Sequence, residues 1–581
     1  MNTIIFEKSH HVLLDNGIIA LYRYLNREDN EVLAKFSYQH KLTDTTLTIE
    51  CEQLAALLEE VYYLMGREVY DTYTHKQDED RGNIFFKKDE TGAYQAELFP
   101  KMNTYGMTEL LTNNAQGTMR REEDSMKIDE IEKQNPELAA FIRKTFEEKK
   151  LKLLSKVYFN ERYTKITRLD AFHVDYFKEG KHHCYLTGKS YKRLVDVTST
   201  SPFISGLTNF NSFLQNDKKI SWQAMYLSRF AAAQALYAYT NKVYEAISVF
   251  LFESNTLTNL DNLYKTYVEG GKLKVNSIEW KNNNFVSNLR ISNFAKEKGE
   301  YFVWKNEYAF MLIYTFYEQI LVTAKEKATE IENPYEVLDD TISQTQPILV
   351  GIRAEPYGNT KRPTAFDYIT KLRFLVRLFQ YWVNHGVDML AVLRSLRFIK
   401  PSLTGNQNKF ALERVVRDRV LGLIIEGKSI LSEMETLFFD CYRNLTAGEN
   451  VGYKHYQQLE LFITLYEPLI SQTMDKSLQE RAIKLGKSIG QSILNYEGQD
   501  RKLNAKQGRK YIIGLRKART LEQFADELTR MQFRFAMSVS TEILEKLDES
   551  NFLLVKQFAV IAALNQLNST LSFNQNNNDA K

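Results

Sequence analysis

Cysteine is nearly absent from the sequence: Cys51, Cys184 and Cys441 are the only three, far apart and odd in number. That excludes a disulfide framework and fits a reducing compartment. Met1 to Glu7 lacks a basic stretch followed by an apolar core, so no secretory signal is expected there. The most apolar uncharged runs, such as Tyr308 to Tyr317, fall well short of the roughly 18–20 residues that span a bilayer. Proline ends at Pro468, so the 113 residues after it can carry uninterrupted helices. No histidine is followed by aspartate, which removes a metal-binding His-Asp doublet, and no internal repeat is found. A strong overall field is lacking as well. The net charge is only +3 over 581 residues, so binding to a polyanion would need local basic segments. A cytoplasmic protein with no membrane partner is expected.

What is present is the balance of a globular chain, 44% hydrophobic and 26% charged, and too long for one ordinary core. The 34 tyrosines and 35 phenylalanines supply core mass, and stacking surface if a nucleic acid is bound. After Gly17, the run Ile18 to Tyr22 reads as the start of a buried helix, and Glu50 to Met65 as a second. Residues 84–99 read as a hairpin turning at Asp89 to Gly92. The mixed-charge stretch 119–152 suits a solvated helix or linker. Strands are also expected at Asp170 to Phe177, turned back by Lys178 to Lys181, and on both sides of Asn282-Asn283-Asn284. From Phe366 to Val383, and again from Met389 to Phe398, apolar residues follow a helical period. In the proline-free end Leu478, Ala482, Leu485, Ile489, Ile493 and Tyr496 step by three and four. So do Leu521, Phe524, Leu528, Met531 and Phe535, with Gly498 and Gly508 as breaks. The expected class is α+β and predominantly helical: a mixed N-terminal region, 1–450, with short β-hairpins, then an antiparallel helical bundle, 451–570. A disordered polar tail, 571–581, is expected to follow.

Each chemical motif has a plain structural alternative. Gly422 to Ser429 fits the phosphate-loop pattern GxxxxGK[ST]. Its preceding residues are helix-like, its intervening residues bulky, and Glu426 would repel a phosphate, so a helix is the better reading. His173, His183 and Cys184 are of types that suit zinc. No Cys-x-x-Cys follows, and His182 and His183 would point to opposite faces of a strand, so an ordinary strand end is preferred and no cofactor is expected. No nuclease or helicase motif can be placed, although carboxylates assembled in space are invisible at this level. The most informative charge feature is Arg501 to Arg519. It holds Arg501, Lys502, Lys506, Arg509, Lys510, Arg516, Lys517 and Arg519 and no acid. Such a segment can contact a phosphate backbone; the alternative is a solvated face neutralised by Glu522 and Asp526. A more dilute basic zone contains Lys361, Arg362, Lys371, Arg373 and Arg377.

Three segments, in order, resemble the large subunit of the type I-B CRISPR surveillance complex, Cascade. They are Asp15 to Leu21; Cys184 to Gly188 with Ser201-Pro202-Phe203, Asn209-Phe210 and the helix around Trp222–Leu236; and Leu485 to Gly490 with Lys510-Tyr511, Leu515 to Arg519 and Phe524. Only one cysteine of that family's central Cys-x-x-Cys-Gly is kept. The resemblance implies a non-catalytic subunit that recognises a protospacer-adjacent motif in double-stranded target DNA and stabilises the R-loop beside a CRISPR guide RNA. The N-terminal region would meet the flanking duplex and the guide end, and the bundle would resemble a Cascade small subunit. Implied partners are the other Cascade subunits and a recruited helicase-nuclease or, in transposon-linked members, transposition proteins. Small subunits made from internal starts at Met474 or Met434 are a further expectation. The candidate flanking-motif residues are Lys281, Asn282, Asn283 and Asn284, with Lys189, Lys192, Arg193, Asn209 and Asn211 as a rival set. Two other readings stay open, a stand-alone nucleic-acid-binding defence protein and a nucleotide- or metal-dependent enzyme.

Overall fold

The computed structural model describes the chain apart from residues 1, 28–30, 70–83, 90, 99–124, 154, 160–175, 177, 197–218, 241–246, 266–284, 288–304, 328–333, 358–359, 398–414, 448–455, 472–475, 499 and 577–581. The fold is α+β and mostly helical, with antiparallel sheets in the N-terminal part and helices toward the C-terminus. Two compact units divide it: Met1–Arg290 with Gln319–Thr370, and Ile291–Glu318 with Lys371–Lys581. The boundary drawn from sequence at 450 therefore falls inside the second unit. Among the described residues no helix is long and apolar enough to cross a membrane.

In the first unit, strand Asn2–Glu7 pairs with Thr46–Cys51, which pairs in turn with Tyr38–Leu42. Alternation puts Ile4, Phe6, Leu47, Ile49 and Cys51 inside. Helix α1 (Val12–Leu25) is buried along most of its length, and the Asp15-Asn16-Gly17 motif explains how it is held. Asp15 accepts hydrogen bonds from the Ser9 amide at 2.8 Å and the Lys8 ammonium at 3.0 Å. Asn16 donates to the Phe252 carbonyl at 2.8 Å and accepts from the Tyr264 hydroxyl at 2.6 Å. A Cβ on Gly17 would lie 2.0 Å from the Leu227 carbonyl oxygen, so only glycine permits this crossing. Helix α2 (Leu54–Val69) and helix α3 (Trp222–Phe230) bury an aromatic stack in which Tyr226 lies 4.6 Å from Trp222 and 5.6 Å from Tyr62. Beside them runs a five-stranded antiparallel sheet in the order Phe285–Ser287, Leu236–Thr240, Ile247–Glu253, Ile348–Tyr357, Thr360–Ile369. Helix α4 (Leu257–Tyr264) carries the tyrosine that reaches Asn16.

The hairpin Ile84–Lys88 with Tyr94–Leu98 forms as expected, its turn held by the Asp89 carboxylate accepting the Thr91 and Ala93 amides. One sequence expectation needs correction: residues 366–369 are strand, with Ile352 paired to Phe366, and the helix begins only at Leu372. His182–His183 pairs with Ser190–Tyr191, and Phe285–Ser287 with Ala238–Thr240. Of the expected strands at Asp170 to Phe177 and before Asn282, only Tyr176 is among the described residues.

The first described element of the second unit is helix α5 (Lys305–Lys327), which belongs to it through Glu318. Helices α6 (Leu372–Asn384), α7 (Val415–Glu426), α8 (Leu431–Ala447), α9 (Tyr456–Ile470), α10 (Lys476–Leu494), α11 (Arg501–Lys517), α12 (Leu521–Phe535) and α13 (Phe552–Asn576) follow. Arg417 and Glu307 form a fully buried ion pair at 2.6 Å. Beside it the Asp418 carboxylate accepts the Asn306 and Glu307 amides, satisfying two orphan donors at the start of α5. Helix α13 is buried on nearly every side: Val555, Ala559, Val560, Ala563, Leu564 and Leu567 are wholly buried, and Lys556, Asn565 and Asn568 are buried with them. Helices α8, α9, α10 and α11 pack around it. Because α8 lies before residue 450 and yet shares this core, the chain cannot divide there. Leu571 is buried and the helix runs to Asn576, so 571–576 is not part of a disordered tail. Gly498 (φ +64°) does mark a break, whereas Gly508 sits inside α11, where a Cβ would meet Ile493 at 2.4 Å.

The closest approach in the unit is α10 on α13. A Cβ at Gly486 would lie 2.1 Å from the Ala559 carbonyl oxygen, and one at Gly490 2.8 Å from Gln566 Cβ. Gly486→Ala should therefore lower the unfolding free energy by about 1–3 kcal/mol, the range for overpacking. Urea denaturation measures it, and an unchanged midpoint would contradict the crossing.

Candidate nucleic-acid interface

The basic segment Arg501–Lys517 is a single helix, α11. Asp500 caps its start by accepting the Lys502 amide at 3.2 Å. Before it the chain reverses through Glu497 and Gly498, both with positive φ. Asn504 ties that reversal down, donating to the carbonyls of Leu494 at 3.2 Å and Tyr496 at 2.7 Å. One face, Asn504, Ala505, Gly508, Ile512 and Leu515, is buried at helical spacing. At the far end Lys556, from α13, donates to the Ala518 carbonyl at 2.8 Å. Burial lowers the Lys556 pKa, with the Glu435 carboxylate opposing. Both ends and the inner face are thus fixed, and the remaining side chains must face outward.

The eight predicted cations then separate by role. Arg501, Lys506, Lys510, Lys517 and Arg519 are exposed, and Lys502 and Arg509 are half-buried. Arg501 donates to the Asn495 side-chain oxygen at 3.3 Å. Arg516 differs: it pairs with Glu435 at 2.7 Å and its guanidinium lies 4.1 Å from the centre of the Phe439 ring. It is a strut of the fold. Among the described residues none of the other seven forms an ion pair. Neither Glu522 nor Asp526 forms an ion pair with the helix among the described residues.

Beside this strip α11 and the end of α12 enclose a cleft of about 480 Å³. Lys506, Arg509, Lys510 and Arg534 line it, with Tyr511 and Phe535, and no carboxylate is among its lining residues. The buried Phe535 ring is the hinge of an aromatic corner, 5.0 Å from Tyr511 and 5.4 Å from Tyr496 at interplanar angles of 74° and 86°. Ala536, in the left-handed conformation, ends α12 there. Arg534 lies 4.5 Å from the centre of the Tyr496 ring, and the Lys510 ammonium 5.0 Å from that of Tyr511. Sequence reasoning placed Tyr496 and Phe535 on buried stripes and did not single out Arg534. The available signal was the repeated cation–aromatic neighbour, Lys510-Tyr511 and Arg534-Phe535.

The other sequence candidates have contacts of their own or lie outside the described residues. Lys189 pairs with Glu7, and Arg193 lies over the Tyr176 ring at 5.0 Å. The Lys192 amide is bonded to the Lys178 carbonyl. Asn209, Asn211, Lys281, Asn282, Asn283 and Asn284 lie outside the described residues, as does His173. His183 shares a hydrogen bond with the Ser190 hydroxyl at 3.0 Å, and the buried Cys184 thiol accepts the Ser221 amide at 3.2 Å. No group of three or more metal-ligating side chains occurs among the described residues. In the dilute basic zone Lys371 donates to the Glu426 carbonyl at 2.7 Å, at the end of α7.

The phosphate-loop match is the end of α7 and the turn into α8, not a loop after a strand. Glu467 fills the position an anion would take: it accepts the Ile430 amide at 2.7 Å at the start of α8. Burial raises its pKa, opposed by the amides of Ile430 and Leu431. Lys428 pairs with Glu426 on the surface.

Arg516→Ala should cost about 1–3 kcal/mol of stability, because it strands a buried carboxylate. Lys506→Ala and Lys517→Ala should stay within about 0.5 kcal/mol of the parent. Glu467→Ala should destabilise by about 1–3 kcal/mol, and Lys428→Ala should not. Chemical denaturation of these variants checks the division between structural and surface charge. No protein-family model matches the chain, and a search of curated proteins returns no match.

Proposed function

We propose that the chain is a non-catalytic, nucleic-acid-binding large subunit of an RNA-guided type I-B Cascade, its α11 surface contacting a phosphate backbone. The single observation that carries the nucleic-acid part is the strip of cations on α11, Arg516 apart, that form no ion pair among the described residues. Ammonium and guanidinium groups so displayed release counterions from a polyanion, which gives affinity without sequence preference. The Cascade part rests on the three resembling segments. Recognition of the flanking motif and guide-end contacts would then belong to the first unit, and cutting or transposition to recruited partners. If a small subunit is also produced internally, Met434 is the favoured start. It keeps nearly all of α8, and all of α9, both of which cover α13, while Met474 would remove them.

Affinity purification of the tagged chain from its host, with sequencing of bound RNA, is the decisive experiment. Uniform repeat-derived RNAs are the expected recovery; a folded chain that brings down no defined RNA would overturn the Cascade assignment. Neutralising Lys506, Arg509 and Lys510 together should weaken DNA binding for every sequence. It should also reduce the slope of log K against log salt by roughly 0.7–0.9 for each phosphate that is no longer neutralised. Unchanged binding across salt concentrations would remove α11 from the interface.

A further inference from the structure

We infer that the cleft between α11 and the end of α12 is a pocket for one unstacked base of a single-stranded nucleic acid. The inference rests on the reading of α11 as a phosphate-binding surface and names what that surface selects. A charged strip alone would serve a duplex equally well, since it meets only phosphates. The cleft adds groups that a duplex cannot use. The face of Tyr511, which lines the cleft, is an aromatic platform, with Tyr496 next to it across Phe535, and the bases of a duplex already have their faces stacked on one another. An unpaired base has a free face. It can stack on a tyrosine or on a guanidinium plane, which is how single strands are held.

The construction of the corner favours this use. Phe535 is buried and braces both tyrosines, so the platform is fixed before a ligand arrives. Long cationic side chains lie over the rings, Lys510 over Tyr511 and the exposed Arg534 over Tyr496. A base entering the cleft can displace the Lys510 ammonium onto its own phosphate, or stack on the outer plane of Arg534, so each cation keeps a partner. The volume of about 480 Å³ lies within the range of small-ligand pockets and suits one nucleotide rather than a helix backbone. No carboxylate is among the lining residues to oppose a phosphate inside the cleft. Stacking is blind to base identity, so weak sequence preference is expected.

The test uses the full-length protein and an oligonucleotide carrying 2-aminopurine, as a single strand and as the matching duplex. Quenching on binding is expected for the single strand only. Tyr511→Leu and Arg534→Ala should each weaken single-strand binding, Tyr511→Leu by about five- to a hundredfold, the range for one base stack. Duplex binding and the salt dependence should stay as they were for Tyr511→Leu. Arg534 is exposed, so its variant keeps the fold and guards against misreading an unfolded Tyr511→Leu. Equal weakening for strand and duplex, or none in either variant, would overturn the pocket. Displacement of the strand by adenosine monophosphate at concentrations matching the strand's own would reassign the cleft to a free nucleotide. If Lys506→Gln with Lys510→Gln leaves all binding intact while quenching persists, the phosphate reading of α11 fails and the base pocket stands.

Discussion

A helix buried on nearly every side has to be surrounded, and α13 is such a helix. Everything in the second unit answers to that requirement. Small residues on α10 let its backbone come within touching distance of α13 at Gly486 and Gly490. On the other sides α8 is tied by the Asn568 amide to the Phe438 carbonyl at 2.9 Å, and α11 by Lys556. Removing water from such a cylinder supplies the main attraction, at roughly 25 cal/mol per Å² of apolar surface. The polar ties decide which helix goes where. The presentation of α11 to solvent is a by-product of this enclosure: its inner face is spent on the core and its outer face shows mainly cations, beside Leu503 and Gln507.

Charge in this unit therefore comes in two kinds that composition cannot tell apart. Arg417 and Arg516 are immobilised against carboxylates, and their positive charge is neutralised within the fold. Lys506, Lys510 and Lys517 are tethered only by their own helix. The difference is one of environment. A guanidinium that reaches a half-buried carboxylate and a ring loses its freedom to meet a ligand, while an ammonium on the outer face keeps its rotamers and its field. A net charge of +3 conceals a strongly basic surface because acids elsewhere balance it.

Much of the helical end was legible from sequence because one signal dominates there. Leu478, Ala482, Leu485, Ile489 and Ile493 recur at helical spacing and all are buried. The phosphate-loop match could be set aside for the right reason, its helical context, although the Glu467 carboxylate that occupies the helix start comes from 38 residues beyond Ser429 and could not be foreseen. Strands were harder. Thr360–Ile369 is strand because Ile348–Tyr357 lies beside it, and no window of local sequence contains both the competing helical pattern of Phe366 to Val383 and the reason it starts six residues late. The basic helix was visible as charge, yet the aromatic corner was not: Tyr496, Tyr511 and Phe535 come together through the reversal at Glu497 and the turn from α11 into α12. Asp15-Asn16-Gly17 shows the converse case. The motif stood out, and its residues turn out to be occupied in holding α1 in place.

The position of α13 in the chain has a consequence for synthesis. It leaves the ribosome after every other described helix of its unit. Until then α8, α9, α10 and α11 emerge with their apolar faces uncovered and with no central element to gather them. The first unit waits too, since its sheet needs Ile348–Tyr357 to join Ile247–Glu253 across about a hundred intervening residues. Nascent chains of this protein expose sticky surface for most of their elongation, so holding chaperones and the speed of translation should govern yield more than the stability of the finished fold.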